Sequence, residues 1–294
     1  MTSVDIPADL PLFNEAKDKV IILTGGSTGI GAETVRRLHG LGAFVNFLDV
    51  DRTNGEALSK ELGDNVRFYP GSVTVWADQL HVFEDVVARH GHIDIVFANA
   101  GIDDVVEDLL EDAVDEAGKL KEPTLVVLDV TLRGVLLTSK LAISFFRRQN
   151  SPGSLVITGS AASYLDTAGI PVYNAAKHGV LGLVRSLRDQ LAAEPAEIRV
   201  NLVAPAFVQT KFTAHVLHLW QRDNLPINQP SDIANALLFL ALNKDYHGRS
   251  IYAAAGKFTE IETSIEQTRA TWLGQQNEDW IQQRKANGIR LGRQ

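Results

Sequence analysis

Residues 20–31 have the sequence VIILTGGSTGIG, a short apolar run followed directly by a glycine-rich turn. β-Branched residues in a run of this length predict a buried strand, which ends at Gly25 and Gly26. Residues 29–41 then carry apolar side chains at helical spacing, until Gly42 ends the helix. The order strand, glycine turn, helix indicates a dinucleotide site, because close backbone approach and a helix N-terminus favour a pyrophosphate there.

Short apolar runs alternate with helical patterns over the rest of the chain. Strands are predicted at 20–23, 44–48, 67–69, 93–98, 154–158, 199–203 and 250–254, and helices at 29–41, 52–62, 75–90, 124–149, 172–194 and 231–242. Such alternation implies a parallel sheet covered by helices on both faces. We therefore predict an α/β fold with a single doubly wound, Rossmann-type domain over residues 19–256. Residues 1–18 are predicted as an arm outside the core, and residues 257–294 as a C-terminal helical extension.

The composition excludes several classes of protein. The chain has 294 residues, of which 45% are hydrophobic, and a formal net charge of -8. The acidic balance argues against nucleic acid as a partner, since phosphate binding depends on clustered Lys and Arg. The absence of cysteine excludes disulfides, thiolate catalysis and Cys-based zinc sites. Neither a signal peptide nor an apolar run of roughly 18–20 residues is found, so we expect a cytoplasmic protein without a membrane span.

Asp49 closes the second predicted strand, roughly twenty residues beyond the glycine turn. A carboxylate there can accept hydrogen bonds from the adenosine ribose hydroxyls, and it would repel a 2′-phosphate. Ser27 and Thr28 beside the glycines are uncharged, and Asp49 and Asp51 outweigh the nearby Arg52. NAD is therefore the predicted cofactor in preference to NADP. The alternative is that Asp49 is a solvated loop residue.

Tyr173 and Lys177 lie four residues apart in a predicted helix, so their side chains share one face. A phenol with a pKa near ~10 is a poor base at neutral pH, and a neighbouring ammonium lowers that pKa by stabilising the phenolate. Such a spacing alone is usually only a surface pair. Ser160 follows a predicted strand directly, and ligands bind at the carboxyl ends of strands in doubly wound sheets. Ser160, Tyr173 and Lys177 are therefore predicted to act together.

Together these motifs resemble those of the short-chain dehydrogenase/reductase family. The positions that match, in the family's order, are TGGSTGIG at 24–31, Asp49, NAG at 99–101, Ser160, Tyr173, Lys177, and Asn201 followed by Pro205. The resemblance covers roughly residues 18–256. Within the family, the chain resembles NAD-dependent alcohol dehydrogenases similar to 15-hydroxyprostaglandin dehydrogenase, and fungal secondary-metabolism members such as hydroxyaverantin dehydrogenase.

The resemblance implies roles for the matching positions. Tyr173 would take the proton of the substrate hydroxyl as hydride leaves for the nicotinamide. Lys177 would lower the pKa of Tyr173 and hold the nicotinamide ribose, while Ser160 would orient the reacting oxygen. Asn99 would steady the central sheet. The predicted cofactor-binding residues are Thr24, Gly25, Ser27, Thr28, Gly29, Ile30, Gly31, Asp49, Val50, Ser72, Val73, Asn99, Ala100, Gly101, Tyr173, Lys177, Pro205, Val208 and Thr210.

Three positions depart from the family pattern. Thr131 stands where the family usually has an Asn whose backbone carbonyl anchors a water linking the lysine to solvent. We expect Thr131 to join the catalytic group, in a slower or altered enzyme. Ser72 replaces an Asp that binds the adenine amino group, and it would accept a weaker hydrogen bond. Ala206 replaces a Gly and would be strained if the backbone there needs a positive φ.

The segments 161–171 and 206–224 are predicted to form the substrate pocket. The apolar side chains of the second segment, which we call the lid, are Phe207, Phe212, Val216, Leu217, Leu219 and Trp220. They favour a bulky apolar alcohol or ketone, such as an aromatic polyketide, terpenoid or lipid; alternatively, they only pack the lid on the core. His215 and His218 are interpreted as ordinary lid residues, since no third ligand is evident, and no metal is predicted.

Three functions remain open at this stage. The favoured one is NAD-dependent oxidation of a secondary alcohol to a ketone. The alternatives are reduction of a ketone or imine in a biosynthetic pathway, and a cofactor-holding cyclase or regulatory protein without redox activity. The resemblance also implies a homodimer or homotetramer formed through long helices such as 124–149. The acidic stretch 103–116 is interpreted as a solvated helix or loop beside the site.

Overall fold

A mostly parallel sheet with helices on both faces organises the molecule. The computed structural model describes residues 2–103, 109, 112–193 and 195–289. The strands are β1 (Ser3–Val4), β2 (Val20–Thr24), β3 (Phe44–Asp49), β4 (Val66–Pro70), β5 (Ile95–Ala98), β6 (Gly153–Thr158), β7 (Ile198–Pro205), β8 (Ser250–Ala254) and β9 (Lys257–Glu260). In the described part of the chain they form one sheet in the order β1-β9-β8-β7-β6-β5-β2-β3-β4.

The helices cover both faces of the parallel strands β2–β8, as the alternation of patterns predicts. They are α1 (Gly29–Gly40), α2 (Arg52–Leu62), α3 (Trp76–His90), α4 (Val126–Leu128), α5 (Val135–Gln149), α6 (Pro171–Leu191), α7 (Leu217–Arg222), α8 (Pro230–Leu242), α9 (Glu262–Gln267), α10 (Arg269–Leu273) and α11 (Gln275–Ala286). Alternate residues of β2 enter two cores: Ile21 packs in the core that holds α1 and α8, and Ile22 in the core that holds α3, α5 and α6. The central strand β2 is therefore apolar on both sides.

The strand order reverses at β2, which pairs with β3 on one side and β5 on the other. The chain runs outward from β2 through β3 to β4, then crosses back to β5 and continues through β6 to β8. In a doubly wound sheet, the crevice for ligands lies at the carboxyl ends of the strands at this switch point. The loops after β2 and β5 therefore face a common cleft.

Both ends of the chain are more closely tied to the sheet than their sequences indicate. β1 pairs antiparallel with β9, and Phe13 and Ala16 are buried in the core. The described part of the predicted arm, residues 2–18, thus does not lie outside the core, because burial of these apolar side chains anchors it. The C-terminal extension begins not with a helix but with β9, which pairs antiparallel with β8, and only then continues into α9–α11.

The predicted helix 124–149 is interrupted near its start by a π-helical turn, Asp129–Gly134, which separates α4 from α5. Such single turns widen the helix locally and occur often at functional sites. The interpretation of residues 103–116 as solvated falls partly outside the described residues, since 104–108, 110 and 111 are not among them. In the described ranges, none of the helices is long and apolar enough to cross a membrane.

Candidate active site

A cavity of about 750 Å³ opens at the carboxyl ends of the parallel strands. Most of the residues predicted from the sequence line it together. They are Gly25, Thr28, Gly29, Ile30, Gly31, Asp49, Val50, Ser72, Val73, Asn99, Ala100, Gly101, Ser160, Tyr173, Lys177, Pro205, Val208 and Thr210. Thr24, Ser27 and Thr131 do not line the cavity but lie behind its wall, where they hold the lining residues in place.

The glycine turn leaves no room for side chains. A Cβ on Gly31 would lie 1.8 Å from the carbonyl oxygen of Gly25, and Gly29 has a φ of +54°. Gly31 therefore admits no Cβ, and the left-handed backbone at Gly29 favours glycine there. The N-terminus of α1, which begins at Gly29, therefore presents the backbone of Gly29 and Gly31 to the cavity. Its free N–H groups suit the phosphates of a dinucleotide.

The Asp49 carboxylate lies at the end of β3 and is fixed by two backbone groups. Oδ2 accepts a hydrogen bond from the Ser27 N–H at 2.9 Å, and Oδ1 accepts one from the Asp51 N–H at 2.9 Å. The buried Ser27 hydroxyl in turn donates to the Asp51 carbonyl oxygen at 3.1 Å. Ser27 thus ties the glycine turn to the loop after β3, and the carboxylate retains lone pairs for ribose hydroxyls.

Asn99 joins three strand ends. Its side-chain amide donates to the carbonyl oxygens of Thr24 and Gly25 at 3.2 and 3.1 Å, and its Oδ1 accepts from the Thr158 hydroxyl at 3.0 Å. The buried Thr24 hydroxyl accepts from the backbone N–H groups of Asn99 and Ala100 at 3.1 and 3.2 Å. These bonds fix the relative positions of β2, β5 and β6 directly below the cavity.

Lys177 is buried beside Tyr173 in the first turns of α6. Its Nζ lies 5.4 Å from the centre of the Tyr173 ring and donates to the Thr158 carbonyl oxygen at 2.8 Å. Pro171 opens the helix, where its fixed φ is favourable, and the four-residue spacing places both side chains on the cavity side. Burial lowers the pKa of Lys177 to about 7, because desolvation penalises the ammonium.

Ser160 reaches the cavity from the end of β6. Its Oγ accepts a hydrogen bond from the Ala162 N–H, and its own N–H donates to Ser163 Oγ, both at 3.2 Å. These reciprocal bonds cap the 3₁₀ turn Ala161–Ser163 and fix the serine at the mouth of the turn. Ser160, Tyr173 and Lys177 therefore line one cavity, although they come from two elements separated in sequence.

Thr131 sits in the π-helical turn and is fully buried. Its hydroxyl accepts from the Ile102 N–H at 3.1 Å and donates to the Ile102 carbonyl oxygen at 3.2 Å. A Cβ placed on Gly101 would lie 3.5 Å from Thr131 Oγ1 and 3.7 Å from Lys177 Nζ. Gly101 thus packs between them, and Thr131 positions the loop after β5. Its participation in a proton relay remains a prediction.

The other two departures have local compensations. Ser72 lines the cavity, and its N–H donates to Asp78 Oδ2 at 2.8 Å, while its hydroxyl bonds the Thr74 hydroxyl at 2.9 Å. The sequence reasoning missed Asp78, which lies in the first turn of α3 and holds Ser72 in place. Ala206 is not among the described residues with a positive φ, so the expected strain does not arise there.

The lid provides an aromatic wall. Phe207 and Trp220 stack with ring centroids 4.4 Å apart, and the Phe212 ring lies 6.0 Å from the Tyr173 ring. These three line the cavity as expected, whereas Val216, Leu217 and Leu219 do not. The lining residues that sequence reasoning missed include Thr158, Leu225, Pro226, Tyr252 and Ala254.

Asn228 closes the lid at its base and gave no recognisable signal in the sequence. Its side-chain amide donates to the carbonyl oxygens of Phe207 and Ala253 at 3.1 and 3.0 Å. Its backbone N–H also donates to the Phe207 carbonyl oxygen at 2.9 Å. These bonds join Phe207, near the start of the lid, and the segment that follows the lid to Ala253 of β8.

Comparison with known proteins agrees with this architecture. A family model described as short chain dehydrogenase matches residues 19–218. The short-chain dehydrogenase/reductase ascJ of Acremonium egyptiacum is 38% identical over 86% of this chain and 84% of its own length. The 5′-hydroxyaverantin dehydrogenase of Dothistroma septosporum is 29% identical over 92% of this chain and 94% of its own. A crystal structure of 3-ketoacyl-(acyl-carrier-protein) reductase from Brucella melitensis complexed with NADH has a TM-score of 0.71 at 24% identity, covering 82% of this chain and 98% of that one.

Proposed function

The chain belongs to the short-chain dehydrogenase/reductase family, and we propose that it oxidises a bulky apolar secondary alcohol to a ketone with NAD. The observation that carries this proposal is the convergence of Ser160, Tyr173 and Lys177 on the cavity that the glycine turn also lines. A hydroxyl-bearing carbon held there would lie within reach of both a proton acceptor and a dinucleotide. Neither the glycine turn nor the Tyr173 helix alone would bring a proton acceptor and a dinucleotide to the same carbon.

The site residues fit NAD. The glycine-rich turn from Gly25 to Gly31 and the start of α1 would hold the pyrophosphate, and Asp49 would bind the adenosine ribose. NAD, when bound, supplies the chemistry by accepting hydride from the carbinol carbon. The overall change is secondary alcohol plus NAD⁺ to ketone, NADH and a proton. The carboxylate of Asp49 disfavours NADP, because a 2′-phosphate would meet a negative charge there.

The protein's own contribution is to position the alcohol and to take its proton. Ser160 orients the hydroxyl by hydrogen bonding, and Tyr173 as phenolate accepts the hydroxyl proton. The Lys177 ammonium stabilises that phenolate, since opposite charges at short range lower the pKa of the acid. With a Lys177 pKa of about 7, the ammonium predominates below neutral pH in the free protein, and both protonation states are populated near pH 7.

The substrate end of the cavity supports an apolar, uncharged substrate. Among the described lining residues the charged ones are Asp49, Lys177 and Lys211, and the first two have roles in the proposed chemistry. The lid supplies aromatic rings instead, in particular the stacked pair of Phe207 and Trp220. A related protein named 5′-hydroxyaverantin dehydrogenase adds support for a hydroxylated substrate.

The direct test is NADH formation across a panel of secondary alcohols, from short polar sugars to polycyclic terpenoid and aromatic alcohols, with NADP run in parallel. The proposal predicts turnover with NAD that is highest for the bulky apolar members. Turnover of short polar alcohols alone would contradict the proposed substrate class. Tighter binding of NADP than of NAD, measured by fluorescence titration, would contradict the role of Asp49.

A further inference from the structure

A carboxylate outside the cavity connects the two segments that carry the proposed chemistry. Glu262 opens α9, beyond the part of the chain that the family model matches, and only 2% of it is exposed. A buried carboxylate is costly unless it is paired and hydrogen-bonded. The contacts of Glu262 therefore show what keeps it there.

Three side chains satisfy Glu262. Arg185 donates two hydrogen bonds, from Nε to Oε2 at 3.0 Å and from NH2 to Oε1 at 2.8 Å, and Arg188 donates to Oε2 at 3.2 Å. The Tyr164 hydroxyl donates to Oε1 at 2.7 Å. Burial alone would raise the pKa of Glu262, but the hydrogen bonds from Arg185 and Tyr164 outweigh it and lower the pKa. Glu262 is therefore an anion at neutral pH.

The partners of Glu262 lie on the two elements that bear the proposed catalytic side chains. Tyr164 directly follows the 3₁₀ turn that Ser160 caps. Arg185 lies on α6, about two turns beyond Lys177, on the helix that also carries Tyr173. The guanidinium of Arg185 further packs over the Tyr164 ring at 5.6 Å. One carboxylate thus links the Ser160 segment to the Tyr173 helix.

Glu262 is itself fixed to the sheet. Its backbone N–H donates to Glu260 Oε1 at 2.9 Å, and the Thr263 N–H donates to Glu260 Oε2 at 3.1 Å. Glu260 is buried and belongs to β9, where it pairs with Ile251 of β8. The carboxylate of Glu262 is therefore held from behind by the start of α9, rather than carried on a free tail.

We propose that Glu262 is a positioning residue for the alcohol oxidation, which sets the separation between Ser160 and Tyr173 through Tyr164 and Arg185. The inference rests on the proposed function, because it assigns Glu262 to that same site. A serine that orients a hydroxyl and a phenolate that takes its proton must be aligned together, and small displacements slow such reactions strongly. Misalignment affects the chemical step more than the binding of either ligand.

The test compares Glu262→Gln with Tyr164→Phe and with the control Glu278→Gln. The amide retains the shape of Glu262 but turns a donor toward an arginine, while Tyr164→Phe removes only the bond on the Ser160 side. Glu278 forms a comparable two-bond ion pair with Arg269, at 2.5 and 3.0 Å, within the C-terminal helices α10 and α11. Loss of this ion pair in Glu278→Gln should leave kcat unchanged.

We expect kcat per NAD-binding site to fall about tenfold in Glu262→Gln and severalfold in Tyr164→Phe, with little change in the Kd for NAD. A substrate deuterated at the carbinol carbon should show a larger isotope effect on kcat in both variants, because misalignment slows hydride transfer and makes it more rate-limiting. Unchanged kcat per binding site with a lowered melting temperature would overturn the inference and leave Glu262 a purely structural residue. Absence of NADH formation in the wild type would instead overturn the proposed function, and the inference with it.

Discussion

The Nζ of Lys177 lies 5.4 Å from the centre of the Tyr173 ring, and burial lowers the pKa of this lysine to about 7. Removing an ammonium from water destabilises the folded protein, so the rest of the fold must offset this desolvation cost. Its hydrogen bond to the Thr158 carbonyl oxygen at 2.8 Å recovers part of that cost. The relationship makes the site sensitive to pH and to substitution in ways that stability measurements can detect.

Replacing Lys177 with Met should stabilise the ligand-free protein most at low pH. The lysine has a pKa of about 7 when folded against an ordinary value of 10.5. Below pH 7 both states are charged and the burial cost is fully present; between about 7 and 10.5 the folded state loses its proton first, and the cost declines. The free energy of unfolding of Lys177→Met, measured in urea, should exceed that of the wild type by a few kcal/mol at pH 6, and by less at pH 9. A margin independent of pH would contradict the buried ammonium.

Gly31→Ala should abolish dinucleotide binding, because its Cβ would lie 1.8 Å from the Gly25 carbonyl oxygen. Relief requires the turn itself to move, which closes the site for the pyrophosphate. Gly40→Ala, at the end of the same helix, is the matched control, since a Cβ there meets no atom within 4 Å. Fluorescence titration with NAD should show at least a hundredfold weaker binding for the first variant and wild-type binding for the second. Equal affinities would place the dinucleotide elsewhere.

Asp49→Asn should weaken NAD binding about tenfold and reduce the preference of the protein for NAD over NADP. The amide forms weaker hydrogen bonds to ribose hydroxyls than the carboxylate does, and it no longer repels a 2′-phosphate. Asp51→Asn is the control, because Asp51 does not line the cavity and Asn also caps helices well. Calorimetric titration of both variants with NAD and with NADP measures the difference. An unchanged ratio of the two affinities in Asp49→Asn would assign nucleotide selection to other residues.

Trp220→Ala should raise the KM for bulky apolar alcohols about tenfold and leave small alcohols nearly unaffected. Trp220 lines the cavity and stacks on Phe207, so its removal takes away an apolar face that only large substrates reach. Leu219→Ala alters the neighbouring residue of α7, which does not line the cavity. Steady-state kinetics on both variants measure the difference. The same KM increase in both variants would indicate a general disturbance of the lid.

Sequence periodicity predicted the parallel strands and most helices because the central strands, such as β2 and β5, are apolar on both faces and helices such as α1 and α3 have one buried side. It missed the hairpin of β8 and β9, whose two-residue turn is Ala255-Gly256 with φ values of +49° and +68°. Turns of this kind favour Asn-Gly or Asp-Gly, so an alanine in the first position gives a weak signal. The π-helical turn was equally hidden, since one widened turn scarcely changes an apolar pattern.

Site residues that belong to a local sequence motif were predictable, whereas residues brought together from distant parts of the chain were not. Gly31, Ser160 and Tyr173 stand in recognisable contexts next to strand and helix ends. Glu262 does not: its partner Tyr164 lies 98 residues away in sequence, and only the closing of the sheet brings them together. The lid gave a partial signal, because apolar composition marks the segment without telling which side chains face the cavity and which face the core.

Tyr173→Phe tests the central claim most directly, by NADH formation on a bulky secondary alcohol with NAD affinity measured on the same preparations. The ring and its packing against Phe212 remain, and only the hydroxyl that takes the proton is lost. Turnover should fall at least a hundredfold, as expected for removal of a general base, while the Kd for NAD stays within about twofold. Wild-type turnover in Tyr173→Phe would show that the phenol takes no part in the reaction and would contradict the proposed mechanism.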